Sequence, residues 1–371
     1  MSQKIKAAVA VDTKRTEVCE FELPALPPDG GLLKVEMTGV CGSDWPYYLN
    51  SPKSKGPLIL GHETVGFVAE LGKAAAAKWG VKEGDRVALE EYLPCGYCAY
   101  CRSGDFRLCD KTDIFIGKDS IRYGSTPISR APSLWGGYSE YQYLHPNAVF
   151  HKVPAHVPAM QAALALPLGN GVEWSYLQGG AGIGQAVVIQ GPGQQGLACV
   201  IAAKEAGASL IIVSGLSTSS DQRRLALARK LGATHTVDID NEDLVEKVAH
   251  LTNGAMADLV LDCASGGPAT IVSAIKLARK RGRVILGGWK RRPIPEFDSD
   301  VLISRFLTVK GVRGHSYESV EMALQIIASQ RYPLAEMCTH LFGLNEVDEA
   351  LRTVGGEGKP DAIHCSVDPW K

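Results

Sequence analysis

The chain has 371 residues, more than one ordinary core supports, so two domains are expected. It is 45% hydrophobic and 21% charged, as globular proteins are, and its net charge of -1 gives no reason to expect nucleic acid or an anionic membrane as partner. No stretch suits a secretion signal or a bilayer span, so a cytoplasmic chain is expected; there its ten cysteines are not expected to form disulfides, and clustered ones point to metal or redox work.

Up to about Pro158 the texture is of short β-like runs, such as "LLKVEMTGV" and "TVGFVAEL", broken by Gly and Pro, with "EGDRVALE" a turn feeding a strand. After that, strands and helices alternate. "AVVIQ" reads as a buried strand, "QQGLACVIAAKEAG" as a helix ended by Gly207, "SLIIVSG" as a strand and "DQRRLALARKLGA" as a helix. "NEDLVEKVAHLTNG" reads as a helix capped by Asn241, "ADLVLDCAS" as a strand, "PATIVSAIKLARKRG" as a helix, and "RVILGGW" and "FLTVKGV" as strands. Such alternation means βαβ units around a parallel sheet covered on both faces. The tail returns to mixed structure with one helix in "SYESVEMALQIIASQ". The chain therefore reads as α/β, with a nucleotide domain inserted between two parts of a β-rich domain.

Two groups of residues suit metals. In "GVCGSDWPYY", Cys41 stands alone, but "GHETVGFV" brings His62 and Glu63 about twenty residues later. A thiolate, an imidazole and a carboxylate suit a catalytic zinc that keeps an open position, where an alcohol becomes acidic or a carbonyl polarised. "CGYCAYCRSGDFRLC" carries Cys95, Cys98, Cys101 and Cys109, a spacing that suits a closed structural zinc site, with an iron–sulfur cluster as the competing reading. Cys19, Cys199, Cys263, Cys338 and Cys365 are scattered and read as packing.

"AVVIQGPGQQGLACV" sets Gly191, Gly193 and Gly196 between a strand and a helix, with Gln194 and Gln195 at the helix start. In that context the pattern is a dinucleotide fingerprint: a tight turn, close backbone approach to a pyrophosphate, and tight helix–strand packing. The next strand ends at Ser214 and Gly215, where a cofactor with a free ribose 2′-hydroxyl usually meets a carboxylate. With Gly215 there and Arg223 and Arg224 following, the sequence leans towards NADP over NAD, although both arginines also suit a solvated helix face.

"GVCGSD", "GHE", the four-cysteine loop, "GGYSEY" and "GPGQQG" follow one another along essentially the whole chain. Together they resemble the zinc-dependent medium-chain dehydrogenase/reductase family, the alcohol, sorbitol and threonine dehydrogenase group. The resemblance implies a GroES-like catalytic domain over residues 1–158 and 314–371, a Rossmann domain over 159–313, a cleft between them, and a homodimer or homotetramer. It implies that Cys41 and His62 are catalytic zinc ligands, that Glu63 is a near or alternating ligand, and that Asp44 orients His62. Ser43 would bond the substrate oxygen and begin the proton relay. Cys95, Cys98, Cys101 and Cys109 would hold the structural zinc.

Two positions depart from that pattern. Threonine dehydrogenase-like relatives read Glu-Pro-Leu-Gly-Asn where this chain reads "LPLGNGVEW", which puts Leu166 at a ligand position. Glu173 lies too far along the chain to replace it. Pro46 stands where many relatives have a histidine that passes the proton to solvent. Three readings remain open at this level: an NAD(P)-linked alcohol dehydrogenase or carbonyl reductase acting on a small alcohol, aldehyde or ketone; a reductase that keeps only the structural zinc; and a non-catalytic dinucleotide-binding protein. Trp45, Tyr47, Tyr48, Tyr92 and Trp289 could form an apolar pocket, but such residues are more often core; Lys290, Arg291 and Arg292 follow a strand end where ligands bind in such sheets, though a solvated loop is the more common use of such a run.

Overall fold

The structure is a computed structural model that describes residues 4–115, 120–294 and 297–371. The chain divides into two compact units, Met1–Leu166 with Cys338–Lys371, and Pro167–Met337.

In the first unit a mixed sheet runs in the order Cys338–Phe342, His364–Val367, Gly31–Val40, Glu63–Leu71, Arg86–Leu89, Phe150–Lys152, with Tyr141–Leu144 also paired to Gly31–Val40. A three-stranded sheet of Arg15–Glu22, Lys4–Asp12 and Leu58–Ile59 accompanies it. Alternating apolar residues from both, including Ile5, Val9, Leu33, Ile59, Val87 and Leu89, share one core with Tyr48, Tyr123, Trp135 and Tyr138. The register matters most for function. Gly31–Val40 pairs antiparallel with Glu63–Leu71, Gly39 facing Glu63. That pairing brings the end of one strand, where Cys41 follows, beside the start of the other, where His62 and Glu63 stand. Gly39 is required there, since a Cβ on it would lie 2.3 Å from Glu63 Oε2.

The second unit holds six parallel strands in the order His235–Asp238, Leu210–Gly215, Ala186–Gln190, Ala257–Asp262, Ala278–Leu286, Thr308–Gly311. The order reverses between Ala186–Gln190 and Ala257–Asp262, the switch point at which doubly wound folds bind nucleotides. Val188, Ile212, Val237, Val260 and Val284 form the buried centre.

Two local expectations shift. The helix expected from Asn241 is Leu244–Leu251, capped by Asp243, whose carboxylate accepts from the Val245 and Glu246 amides. The helix expected through Gly282 ends at Leu277, because Ala278 already pairs with Ala257 as a strand. Residues 314–337 pack within the compact unit Pro167–Met337. The helix Tyr317–Ala328 is tied there through its cap, since Ser316 Oγ donates to Glu173 Oε2 at 2.6 Å, and His315 Nδ1 lies 3.0 Å from Asn170 Oδ1. Glu173 is thus a capping partner.

Candidate active site

Asp44 opens the helix Asp44–Lys55 and is fully buried. Its Oδ2 accepts from the Cys41 amide at 3.2 Å and the Tyr138 hydroxyl at 2.8 Å, and its Oδ1 lies 3.1 Å from His62 Nδ1. The acceptor holds the proton on Nδ1 and turns the Nε2 lone pair outward. Ligand atoms of Cys41, His62 and Glu63 all lie within 4.8 Å of one another. Ser43 Oγ lies 3.3 Å from Cys41 Sγ and 3.3 Å from His62 Nε2. It caps its helix without a side-chain hydrogen bond, so its hydroxyl is not consumed there. Pro46 sits in the first turn of the same helix, where a missing N–H costs nothing.

Burial, and then Glu63, push the Cys41 thiol up. Burial pushes Glu63 up to about 8, against the pull of His62. Burial works against a charged His62, yet Asp44 and Glu91 outweigh it and hold the imidazole well above its usual range. Glu63 Oε2 is buried without a hydrogen-bond partner. A divalent cation among these donors relieves the carboxylate crowding and satisfies that oxygen, so the residues fit a zinc with an open position.

The four cysteines also converge, their sulfurs all within 4.8 Å. Cys98 Sγ lies 3.5 Å and Cys95 Sγ 3.9 Å from Cys101 Sγ. Backbone amides point at the sulfurs: Cys95 N donates to Cys109 at 3.3 Å, and Tyr97 N to Cys95 at 3.5 Å. Burial pushes Cys109 up, but bonds from Thr112 and the Cys95 amide override it and bring the thiol to about 6. Such a nest of thiolate-stabilising amides suits a closed zinc site.

In the other unit Gly191 adopts φ +96°, and a Cβ on Gly196 would lie 2.0 Å from the Gly191 carbonyl oxygen. A Cβ on Gly193 would meet nothing within 4 Å, which leaves open room beside the uncapped start of helix Gln194–Glu205. The Gln195 side chain instead holds the scaffold, donating to the Pro167 carbonyl and accepting from Asn170. Ser214 and Gly215 end their strand as expected, but Arg224 pairs with Asp221 at 3.4 Å and Arg223 lies exposed on helix Ser219–Leu231. Lys290 is no solvated loop residue: it is buried against Asp262 at 2.8 Å.

Two groups were not singled out from sequence. Glu91 Oε2 lies 3.6 Å from His62 Nε2 and pairs with Arg122. Asp238 and Asp240 meet the loop after Gly215. The "EE" ending the strand before the four-cysteine loop was the available signal for Glu91; none marked the aspartates.

The family models for the alcohol dehydrogenase GroES-like domain and for zinc-binding dehydrogenases match residues 27–155 and 196–329. A Mycobacterium tuberculosis protein named "Probable alcohol dehydrogenase adh" is 36% identical over 98% of both chains. A sorbitol dehydrogenase of Halalkalibacterium halodurans is 32% identical over 87% of both. A zinc-binding dehydrogenase of Sinorhizobium meliloti, solved with NADP, superposes with a TM-score of 0.84 at 26% identity, over 99% of this chain and 100% of that one. The chain belongs to the zinc-dependent medium-chain dehydrogenase/reductase family and is an alcohol dehydrogenase-type oxidoreductase that works with zinc and NAD(P).

Proposed function

We propose that Cys41, His62 and Glu63 hold the catalytic zinc and that Ser43 carries the proton of the reacting hydroxyl, while Cys95, Cys98, Cys101 and Cys109 hold a structural zinc. The observation that carries this reading is the closure of three different donor types within 4.8 Å, with Ser43 Oγ 3.3 Å from two of them. Zinc held there would supply Lewis acidity towards an alcohol or carbonyl oxygen, and bound NAD(P) would supply the hydride donor or acceptor. Ser43 accepts the hydroxyl proton during oxidation and returns it during reduction. Pro46 has no atom to take the proton onward, and the exposed Ser43 hands it to water. Asp44 keeps His62 in the tautomer a ligand needs. The buried Leu166 favours a second reading, a reductase that holds only the structural zinc. Metal analysis of the purified protein separates the two: two zinc ions per chain, one lost on Cys41→Ser together with hydride transfer to a panel of carbonyls, supports the first. One zinc per chain, lost only with the four-cysteine loop, refutes it.

We infer further that the cofactor is NAD. A carboxylate cannot stand at Gly215, where a Cβ would already lie 2.9 Å from Pro192 Cγ. The donors of the following loop face acids instead. Leu216 N donates to Asp221 at 3.0 Å, Ser217 N to Asp240 at 2.8 Å, and Ser217 Oγ to both oxygens of Asp238 at 2.9 Å. A 2′-phosphate dianion there meets carboxylates and spent donors, whereas a ribose hydroxyl finds acceptors. This reverses the inclination of the sequence and departs from the NADP-bound relative. Paired kcat/KM measurements with NADH and NADPH test it; a preference for NADPH sinks it.

A cytoplasmic homodimer or homotetramer completes the proposal. Among the described residues no helix is long and apolar enough to cross a membrane. The edge strand Thr308–Gly311 is exposed along its length beside Ile303 and Phe306, as a strand awaiting a second copy would be.

A further inference from the structure

Cys199 and Cys263 stand 64 residues apart in the chain, and each by itself suits packing. The fold of the unit Pro167–Met337 brings them together. Strand Ala257–Asp262 runs parallel to Ala186–Gln190, and the Cys263 amide continues that pairing by donating to the Gln190 carbonyl at 3.0 Å. The glycine turn sets helix Gln194–Glu205 close to the same strand, and a Cβ on Gly196 would touch Ile189. Cys199 follows Gly196 by three residues and so shares its helix face. As a result the two sulfurs lie 3.7 Å apart, both as free thiols.

Their settings differ. Cys199 is fully buried, whereas Cys263 is partly exposed and opens the pair to small solutes. The hydrogen bond they share brings the Cys199 thiol below its usual range and pushes Cys263 well above it, so Cys199 ionises first and Cys263 keeps its proton. A disulfide needs the sulfurs at about 2.05 Å, a short closure. Neither side can give without moving the glycine turn. Cys199 rides on the helix that the turn begins. On the other side a Cβ on Gly191 would lie 3.0 Å from Ala264 Cα, and Lys290 ties Asp262 and the Ala264 carbonyl in place.

We propose that Cys199 and Cys263 form a redox site, which hydrogen peroxide converts to a disulfide that strains the dinucleotide turn and loosens its hold on the cofactor. The Cys199 thiolate attacks one peroxide oxygen. An S–O bond forms, the O–O bond breaks, and the departing hydroxide takes up the proton that the thiol released. The Cys263 sulfur then attacks the Cys199 sulfur, the S–O bond breaks, and the hydroxyl leaves with the Cys263 proton as water. Two thiols lose two electrons and the peroxide becomes two waters. A thiol reductant reverses the change. Disulfides that form where thiols are otherwise kept reduced are usually transient or redox-sensing. The effect on the cofactor rests on the turn from Gln190 through Gly196 being the dinucleotide site.

The test uses the full-length protein. Wild type, Cys199→Ala and Cys263→Ser are treated with hydrogen peroxide, which catalase then removes. Free thiols are alkylated, and a digest without reductant is searched by mass spectrometry for the peptide linking Cys199 to Cys263. Binding of NADH and of NADPH is titrated by fluorescence before and after treatment. Oxidised wild type should carry the linked peptide and bind the preferred dinucleotide about tenfold more weakly, with recovery in dithiothreitol. Both variants should bind it as reduced wild type does and show no reversible loss. Absence of the linked peptide overturns the proposal. So does a linked protein that binds the dinucleotide unchanged, or an equal loss in the two variants, which would place the oxidation at other cysteines. Dinucleotide binding that Gly196→Ala leaves intact instead overturns the parent reading of the turn.

Discussion

Asp44 organises the site by contact with its neighbours' polar atoms. Its carboxylate fixes the Cys41 amide, the Tyr138 hydroxyl and the His62 ring in one arrangement. Asp44→Asn keeps the shape but offers the ring a mixed donor and acceptor. Zinc should bind about 10–100-fold more weakly, as chelator competition would show, with the four-cysteine zinc unaffected. His145 gives a separate, pH-dependent expectation. Burial, then Arg130, lower its pKa to about 4, and its Nδ1 accepts from the Asn147 amide, so it is neutral when folded. The unfolded chain takes up the proton first, near pH 6.5. Stability should therefore fall as pH drops from 6.5 to 4, by about 1 kcal/mol once partial exposure is allowed for. His145→Gln should flatten that slope in urea titrations. Residues such as Cys41, His62 and the four cysteines were legible in the sequence because their donor chemistry is rare and their spacing tight. Glu91 and Asp238 were not, because a carboxylate looks alike on a solvated loop and beside a buried histidine, and only strand register tells them apart.

At the scale of elements, two junctions position the chemistry: the antiparallel register that sets Gly39 against Glu63, and the turn from Gln190 through Gly196. The turn is readable from sequence because three backbone demands coincide in one short stretch. Gly196→Ala tests it. The added carbon would press on the Gly191 carbonyl, so the melting temperature should drop by several degrees, corresponding to roughly 1–3 kcal/mol, and titration should show weakened NADH binding. The register was not readable, since hydrophobic alternation fixes which face of a strand is buried but not which partner lies opposite. The same limit explains the helix that ends at Leu277. Its basic continuation looks helical in isolation, but pairing with Ala257 makes it a strand.

For the whole molecule, the β-rich and α/β units were visible as a change of texture along the chain, while side-chain bonds that no periodicity reports, Ser316 to Glu173 among them, tie residues 314–337 into the unit Pro167–Met337. If a second copy covers the edge strand, Phe306→Lys with Ile303→Asp should turn the oligomer into a monomer in light scattering while each chain keeps both zinc ions. The first unit is also interrupted in sequence. Cys338–Phe342 and His364–Val367 enter its sheet as a parallel pair, Cys365 lying against Val40 just before Cys41. The Thr38–Val40 end of the strand, just before the proposed metal donors, therefore stays unpaired on that side until residue 367 has been made. The nucleotide unit is continuous and complete well before then. During synthesis this chain should gain the ability to bind its dinucleotide first and to keep its catalytic metal last, which makes zinc loading a late step in its maturation.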